Sequence, residues 1–139
     1  MSMADISMIL LRHEGRPGDL LPILHDVQHV MGYVAPELVP VIAEALNLSR
    51  AEVHGVISFY HDFRSAPAPK PVIKLCRAEA CQARGVEALA SQFEHDQRIE
   101  VETVYCLGLC ASGPAAMVGD RVIARLNKGS AARLIEEVA

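Results

Sequence analysis

The stretch Val72-Ile-Lys-Leu-Cys-Arg-Ala-Glu-Ala-Cys81 decides the fold, because a short apolar strand runs directly into a pair of cysteines. A similar arrangement follows, in which Ile99–Val104 alternates as a strand before Cys106-Leu-Gly-Leu-Cys110. The apolar residues between Arg84 and Glu94 recur with helical period. Strand, helix and strand in this order predict two parallel strands joined by a right-handed crossover.

The end of the chain adds a hairpin and a helix. Ala115–Val118 and Arg121–Leu126 flank Gly119-Asp120, a dipeptide typical of two-residue hairpin turns. Ser130 is the expected N-cap of a final helix. The order β-α-β-β-β-α predicts an α/β domain with thioredoxin-like topology. Both cysteine pairs follow the carboxyl ends of parallel strands, where open α/β sheets bind their ligands, so we expect the two loops to be neighbours.

The N-terminal half predicts a small helical bundle. Its helices are expected over residues 5–13, 19–31 and 36–46, and from the capping box Ser49-Arg-Ala-Glu52 to Tyr60. Alternate prolines in Arg64–Pro71 favour a semi-rigid spacer. We therefore predict two domains, residues 1–65 and residues 66–139.

Several side chains of the helical half are candidates for function. His25 and His29 are four residues apart, as in a metal-binding pair, although a solvated helix face is the favoured interpretation. Phe59 and Phe63 are expected to pack on the second domain. The adjacent His61-Asp62 is a candidate contact to a partner subunit.

Composition narrows the classes of function. The chain has 139 residues, a net charge of −4 and no Trp, which argues against a nucleic-acid surface. No apolar run approaches the length of a membrane span, and no targeting signal is visible. We expect a cytoplasmic protein, in which thiols stay reduced, so that four cysteines point to a metal rather than to disulfides.

Three occupants compete for a four-thiol site. A thiol–disulfide catalyst requires C-x-x-C, which is absent from the sequence. Structural zinc accepts four cysteines, but its usual turns are also C-x2-C. The wider C-x4-C and C-x3-C loops favour a [2Fe–2S] cluster, which takes two thiolates on each iron. No set of residues resembles an acid–base or nucleophilic catalytic site.

Residues beside the cysteines suit an anionic cluster. Arg77 and Arg84 are the nearby cations that offset its charge, and solvated loop charges are the alternative interpretation. Gly85, Gly108 and Gly113 are expected to let the chain approach closely. An all-cysteine site of plant type also suggests a low reduction potential, about −400 mV.

Taken together, these motifs resemble the thioredoxin-like [2Fe–2S] ferredoxin family over nearly the whole chain. This family includes the small flavoprotein-module subunit of NADH:quinone oxidoreductase and the related subunits of NAD-linked hydrogenases and formate dehydrogenases. The resemblance rests on Gly32-Tyr-Val34, Val53-His-Gly-Val-Ile-Ser-Phe-Tyr60 and both cysteine pairs. Ser58-Phe-Tyr-His-Asp-Phe-Arg64 and Cys76–Cys81 look most like the gamma subunit of molybdenum- or tungsten-containing, NAD-dependent formate dehydrogenases.

The resemblance implies a role for each part of the chain. Cys76, Cys81, Cys106 and Cys110 would be the ligands of one [2Fe–2S] cluster. The subunit would be a non-catalytic electron carrier that docks on the FMN- and NAD-binding subunit. The chain departs from the family at one place. Glu94-His-Asp-Gln-Arg98 connects the helix directly to the second strand, whereas family members usually have a longer loop there. A zinc-stabilised interaction module is the alternative from another class.

Overall fold

The computed structural model describes residues 3–139, so the first two residues of the predicted N-terminal domain lie outside the described residues. The chain divides into two compact units, Met1–Ala68 and Pro69–Ala139. Each unit has a hydrophobic core of its own. That residues 1–65 and 66–139 fold as independent domains stays a prediction.

The first unit is helical. Within its described residues the helices are α1 (Met3–His13), α2 (Leu20–Met31), α3 (Leu38–Ala45) and α4 (Arg50–Phe59). Their apolar faces meet in one core, whose fully buried side chains include Ile6, Ile23, Leu24, Val27, Ile42 and Val53. The predicted capping box at the start of α4 is confirmed, because Ser49 and Glu52 bond reciprocally to each other's backbone N–H.

The segment after α4 is held by α2. The side chain of Gln28 donates to the carbonyl oxygen of Asp62 and accepts the backbone N–H of Arg64 at 2.7 Å. Phe63 is thereby buried in the core of the helical unit, with 8% of its surface exposed. The expectation that Phe63 packs on the second domain is therefore wrong, because it packs within its own unit, whereas the same expectation for Phe59 stays a prediction. Tyr60, the residue that follows α4, is 42% exposed.

The second unit is an α/β domain, as predicted. Its elements are β1 (Val72–Cys76), α5 (Glu79–Ala83), α6 (Val86–Glu94), β2 (Glu100–Val104), a 3₁₀ turn (Cys110–Ser112), β3 (Ala116–Val118), β4 (Arg121–Ile123) and α7 (Lys128–Val138). The four strands form one sheet in the order β2-β1-β3-β4. Strand β1 runs parallel to β2, which confirms the predicted crossover connection. Strand β3 runs antiparallel to β4, which confirms the hairpin, and also antiparallel to β1.

The hydrophobic core of this unit is formed by one face of the sheet and the helices that pack on it. Ile73 and Leu75 of β1 are completely buried, as expected for alternate residues on one face of a central strand. Val86 and Phe93 of α6 are also completely buried in the same cluster. Helix α6 packs against β2 and α7, so the crossover helix and the last helix share this core.

Three details differ from the sequence prediction. The predicted helix Arg84–Glu94 is preceded by a separate short helix, α5, and the two are divided at Gly85, whose φ is 86°. Strand β4 ends at Ile123 rather than at Leu126. Helix α7 is capped by Asn127. Ser130 is instead the third residue of the helix, and its side chain completes the capping box.

Among residues 3–139, no helix is both long and apolar enough to cross a membrane.

Candidate metal centre

The carboxyl end of β1 fixes the first cysteine. Cys76 is the last residue of β1 and lies opposite Val104, the last residue of β2. The backbone N–H of Cys76 donates to Ala115 at 3.0 Å, and that of Arg77 donates to Val104 at 2.9 Å. Since Cys106 is only two residues beyond Val104, the two cysteine loops begin side by side. The expected proximity of the loops is confirmed.

Each of the other three cysteines lies in a different local structure. Cys81 is within helix α5, Cys106 has a left-handed backbone with φ 83°, and Cys110 begins the 3₁₀ turn. A left-handed backbone is uncommon for a residue with a side chain and is concentrated at functional sites. Cys76 and Cys81 are buried, whereas Cys106 and Cys110 are exposed.

The four residues are free thiols that approach one another in pairs. The Sγ atoms of Cys106 and Cys110 are 3.6 Å apart. Two thiolates on one tetrahedral metal at about 2.3 Å are separated by about 3.8 Å, so this pair fits a shared metal ion. The Cys76 and Cys81 thiols also lie within hydrogen-bonding reach of each other. In the part of the chain that the structure describes, no three His, Cys, Asp or Glu side chains converge as a single metal ion requires.

Backbone amides surround the buried sulfur of Cys76. Burial by itself raises the pKa of this thiol, but hydrogen bonds outweigh it and the net pKa is lowered. The donors are the Cys81 thiol and the backbone N–H groups of Ala78, Cys106 and Leu107. Amides of both loops thus converge on one sulfur, which favours its thiolate form. The exposed sulfur of Cys106 accepts a further N–H, from Gly108 at 3.4 Å.

The pKa values of the Cys81 and Cys110 thiols are raised instead. Burial raises the pKa of Cys81, and the hydrogen bond to the Cys76 thiol raises it further. The pKa of Cys110 is raised chiefly by the hydrogen bond with Cys106. Four thiolates so close together repel one another, and bound metal cations remove that repulsion because they bind the deprotonated sulfur.

Of the three glycines expected to allow close approach, one does so. A Cβ on Gly113 would lie 3.1 Å from the Sγ of Cys81 and 3.3 Å from the Cδ of Arg84. A Cβ on Gly85 or Gly108 would have nothing within 4 Å. These two residues instead have φ of 86° and 75°, which favour glycine for conformational reasons. That Gly85 and Gly108 allow a close approach to a bound cluster stays a prediction.

The two arginines beside the first pair differ. Arg77 donates from Nε to Glu87 at 3.0 Å and from its terminal nitrogen to Glu94 at 2.9 Å. The hydrogen bond to Glu87 is the main cause that raises the pKa of Arg77. Its charge is therefore offset by carboxylates of α6. Arg84 is exposed, and its stem lies beside Gly113.

The candidate residues of the helical unit do not join a metal site. His25 and His29 are both exposed, as the favoured interpretation of a solvated face predicts. The His25 ring stacks at 4.9 Å on Phe63, and its Nδ1 lies 3.9 Å from the carboxylate of Asp62. His61 and Asp62 are exposed, and their proposed contact with a partner stays a prediction.

The donor set fits a [2Fe–2S] cluster. Thiolates arranged in two pairs match two irons with two cysteines each. Amide donors at the sulfurs stabilise an anionic cluster. The glycine at position 113 leaves room over the Cys81 sulfur.

Some groups that surround the cysteine sulfurs could not be predicted from the sequence. The amides of Ala78, Leu107 and Ala115 act on cysteine sulfurs, yet any residue type except proline supplies such a donor. Helix α5 was not expected because five residues are too few to show helical period.

Comparison with known proteins agrees with this geometry. The model of a family described as thioredoxin-like [2Fe-2S] ferredoxin matches residues 6–139. The chain is 30% identical over 133 residues to the NADP-reducing hydrogenase subunit HndA of Solidesulfovibrio fructosivorans, covering 88% of this chain and 78% of that protein. It is also 30% identical over 118 residues to NADH-quinone oxidoreductase subunit 2 of Thermus thermophilus, covering 77% of this chain and 65% of that protein.

A solved structure shows the same fold. A chain of an NAD+-reducing [NiFe]-hydrogenase in the H2-reduced state superposes with a TM-score of 0.72 at 26% sequence identity. The match covers 86% of this chain but only 22% of the hydrogenase chain. This protein thus corresponds to a small part of that larger polypeptide.

Proposed function

The chain belongs to the thioredoxin-like [2Fe–2S] ferredoxin family, and from this premise we propose that it is a one-electron carrier whose cluster is held by Cys76, Cys81, Cys106 and Cys110. The family resemblance and the cofactor, one [2Fe–2S] cluster, are confirmed. The assignment of the four ligands is a proposal. The observation that carries it is the convergence of both cysteine loops, with their amides, at the carboxyl ends of β1 and β2.

In this proposal the protein supplies ligands, charge compensation and shape. When bound, the cluster supplies reversible one-electron chemistry. The four thiolates hold it, and the backbone amides of Ala78, Cys106 and Leu107 donate to sulfur and stabilise negative charge. The buried pair Cys76 and Cys81 excludes water on one side.

The exposed side of the site suits electron exchange with a partner. Cys106 and Cys110 are exposed, and the neighbouring Tyr105 side chain is 76% exposed. We propose that this surface faces an FMN- and NAD-binding flavoprotein subunit and that the chain itself binds neither NAD nor the substrate. Support comes from relatives named as subunits of NAD(P)-linked hydrogenases and NADH-quinone oxidoreductases. The chain is then a non-catalytic subunit of a cytoplasmic oxidoreductase complex.

Within that class we propose the gamma subunit of an NAD-dependent formate dehydrogenase. The support is the local sequence Ser58-Phe-Tyr-His-Asp-Phe-Arg64 and the residues between Cys76 and Cys81. The wider complex then includes a molybdenum- or tungsten-containing formate dehydrogenase subunit. The equivalent subunits of NADH:quinone oxidoreductase and of NAD-linked hydrogenase are the alternatives.

Purification of the native complex through a tag on this chain tests the proposal. We expect an FMN-containing subunit to co-purify and the complex to reduce NAD with formate. The same preparation is assayed with H2 as donor and with NADH and quinone. Turnover with H2, or with quinone, and none with formate would assign the chain to the corresponding alternative complex. Failure of any flavin subunit to co-purify would contradict the proposed partner.

A further inference from the structure

Two arginines flank the first cysteine pair, and the structure gives them different surroundings. The guanidinium of Arg77 is bonded to Glu87 and Glu94 on α6. One cation and two carboxylates together carry a net charge of −1. The Arg77 group therefore brings no net positive charge to the cysteine site.

Arg84 is placed against the site itself. Its Cδ lies 3.3 Å from the position that a Cβ on Gly113 would take, and the Sγ of Cys81 lies 3.1 Å from the same position. Its backbone N–H donates to the carbonyl oxygen of Cys81 at 3.2 Å. The side chain thus runs beside the backbone that covers the Cys81 sulfur.

The guanidinium of Arg84 has no ion-pair partner in the part of the chain that the structure describes. The residue is exposed, and no carboxylate forms an ion pair with it among residues 3–139. By contrast, Arg98 and Arg121 are each paired with at least one carboxylate. The guanidinium carried by this stem is therefore available to an anion bound at the cysteines.

We propose that Arg84 is a tuning residue whose charge stabilises the reduced form of the cluster and raises its reduction potential. The inference rests on the proposed ligand set. With two ferric ions, two sulfides and four thiolates the cluster carries a charge of −2, and one electron from a reduced flavin makes it −3. Because reduction adds a negative charge and takes up no proton, a fixed cation nearby favours the reduced form.

The size of the effect follows from the distance and the exposure. A unit charge within about 10 Å, at an effective dielectric between that of a protein surface and that of water, changes such an equilibrium about three- to tenfold. For a one-electron couple this corresponds to roughly 30 to 60 mV. Salt screens an exposed charge, so the effect decreases as ionic strength rises.

Potentiometric titration of the full-length protein, followed by its visible and EPR spectra, measures this effect. Arg84→Gln removes the charge, Arg84→Lys retains it, and Arg84→Met removes it while keeping an unbranched stem beside Gly113. Arg98→Gln is the matched control, because Arg98 lies before β2 and the length of that strand, more than about 15 Å, separates it from the cysteines.

We expect Arg84→Gln and Arg84→Met to lower the equilibrium constant for reduction about three- to tenfold. Arg84→Lys and Arg98→Gln should remain within twofold of the wild type, and the difference should shrink in 1 M salt. An unchanged potential in Arg84→Met, or an equal shift in Arg84→Lys, would overturn the proposal. Iron and sulfide are measured in the wild type first, so that absence of a cluster counts against the proposed function and an unshifted potential counts against Arg84 alone.

Discussion

Gly113 is the residue at which the site has least room. Its φ of −68° is open to any residue type, so conformation does not require glycine there. Space does, because a Cβ at 3.1 Å from the Cys81 sulfur is closer than side chains normally pack. Cys81 is buried and cannot easily move away, whereas the exposed Arg84 stem is freer to shift.

We predict that Gly113→Ala lowers both stability and cluster content. The added methyl group must displace the Cys81 sulfur or the Arg84 stem, and overpacking of this kind costs about 1–3 kcal/mol. The measurements are iron and acid-labile sulfide per chain and the midpoint of thermal unfolding.

Gly55→Ala is the control for that substitution. Gly55 lies inside α4, and a Cβ there would meet nothing within 4 Å. Alanine is the better helix former, so this variant should be unchanged or more stable by up to about 1 kcal/mol. Full cluster content and an unchanged midpoint in Gly113→Ala would show that the close approach is not needed.

A second residue-scale prediction concerns pH. The hydrogen bond from His13 at 2.8 Å is the main cause that lowers the pKa of Asp26 below 3.8, with Arg12 adding to it. A carboxyl group with a lowered pKa in the folded state stabilises the protein above its unfolded value. That contribution is lost as pH falls from 3.8 through the folded value.

Asp26→Asn should therefore lower the thermal midpoint of helical unfolding at pH 5–7, and the difference from the wild type should shrink as pH falls below 3.8. Circular dichroism of both proteins from pH 3 to pH 7 measures the difference. A difference of equal size across the whole range would mean that the ionised carboxylate is not the stabilising group.

At the residue scale the sequence indicates which side chains could bind a cluster, but not what surrounds them. Thiols are recognisable because few side chains bind iron. By contrast, the sequence suggested Arg77 and Arg84 equally, and only the folded chain brings Glu87 and Glu94 to Arg77. Such pairings join residues 10 and 17 positions apart, which no local pattern encodes.

Among the elements, helix α7 begins earlier than predicted. Its N-cap is Asn127, three residues before the expected Ser130. The side chain of Asn127 accepts the backbone N–H of Ser130 at 3.0 Å, and Ser130 Oγ accepts the N–H of Asn127 at 2.9 Å. Both residues are good caps in isolation, so propensity does not distinguish them. The helix starts at Lys128 because Ala131 and Leu134 are buried.

We expect Asn127→Ala to destabilise the protein by about 1 kcal/mol, because it removes the N-cap acceptor. Ser130→Ala loses only the reciprocal bond and places a better helix former in the first turn, so its cost should be below about 0.5 kcal/mol. Denaturant unfolding of the two variants measures the difference. A larger loss for Ser130→Ala would reinstate Ser130 as the cap.

Elements with strong periodicity were predicted well, and short ones were not. Strand β1, helix α2 and the capping box of α4 lie within one residue of their expected positions, because burial of alternate or helically spaced side chains fixes them. Helix α5 contains five residues and depends on its surroundings. Its existence changes the first cysteine loop from an irregular turn to a partly helical one.

At the scale of the whole molecule, each unit contains a complete core. The second core includes Ile73, Leu75, Val86 and Phe93, all within residues 69–139. We therefore predict that a fragment of residues 66–139 folds and retains the cluster. The EPR spectrum of the fragment should match that of the full chain. A fragment that is unfolded by circular dichroism would show that the two units depend on each other.

Since His61-Asp62 is a candidate contact to a partner subunit, we propose that the helical unit adds to docking on the flavin subunit. If that unit serves docking, the fragment should bind the flavin subunit more weakly than the full chain does. A pull-down with equal amounts of the two proteins compares them. Undiminished binding by the fragment would mean that the helical unit adds nothing to docking and that the surface within residues 66–139 is sufficient.

The central claim is that four cysteines from two loops hold one [2Fe–2S] cluster. Metal analysis and low-temperature EPR of the reduced, anaerobically purified protein and of its Cys106→Ala variant test it most directly. We predict about two irons and two acid-labile sulfides per chain with a rhombic signal in the wild type, and loss of that signal in the variant. A colourless wild type with one zinc and no sulfide, or a full signal in Cys106→Ala, would contradict the account.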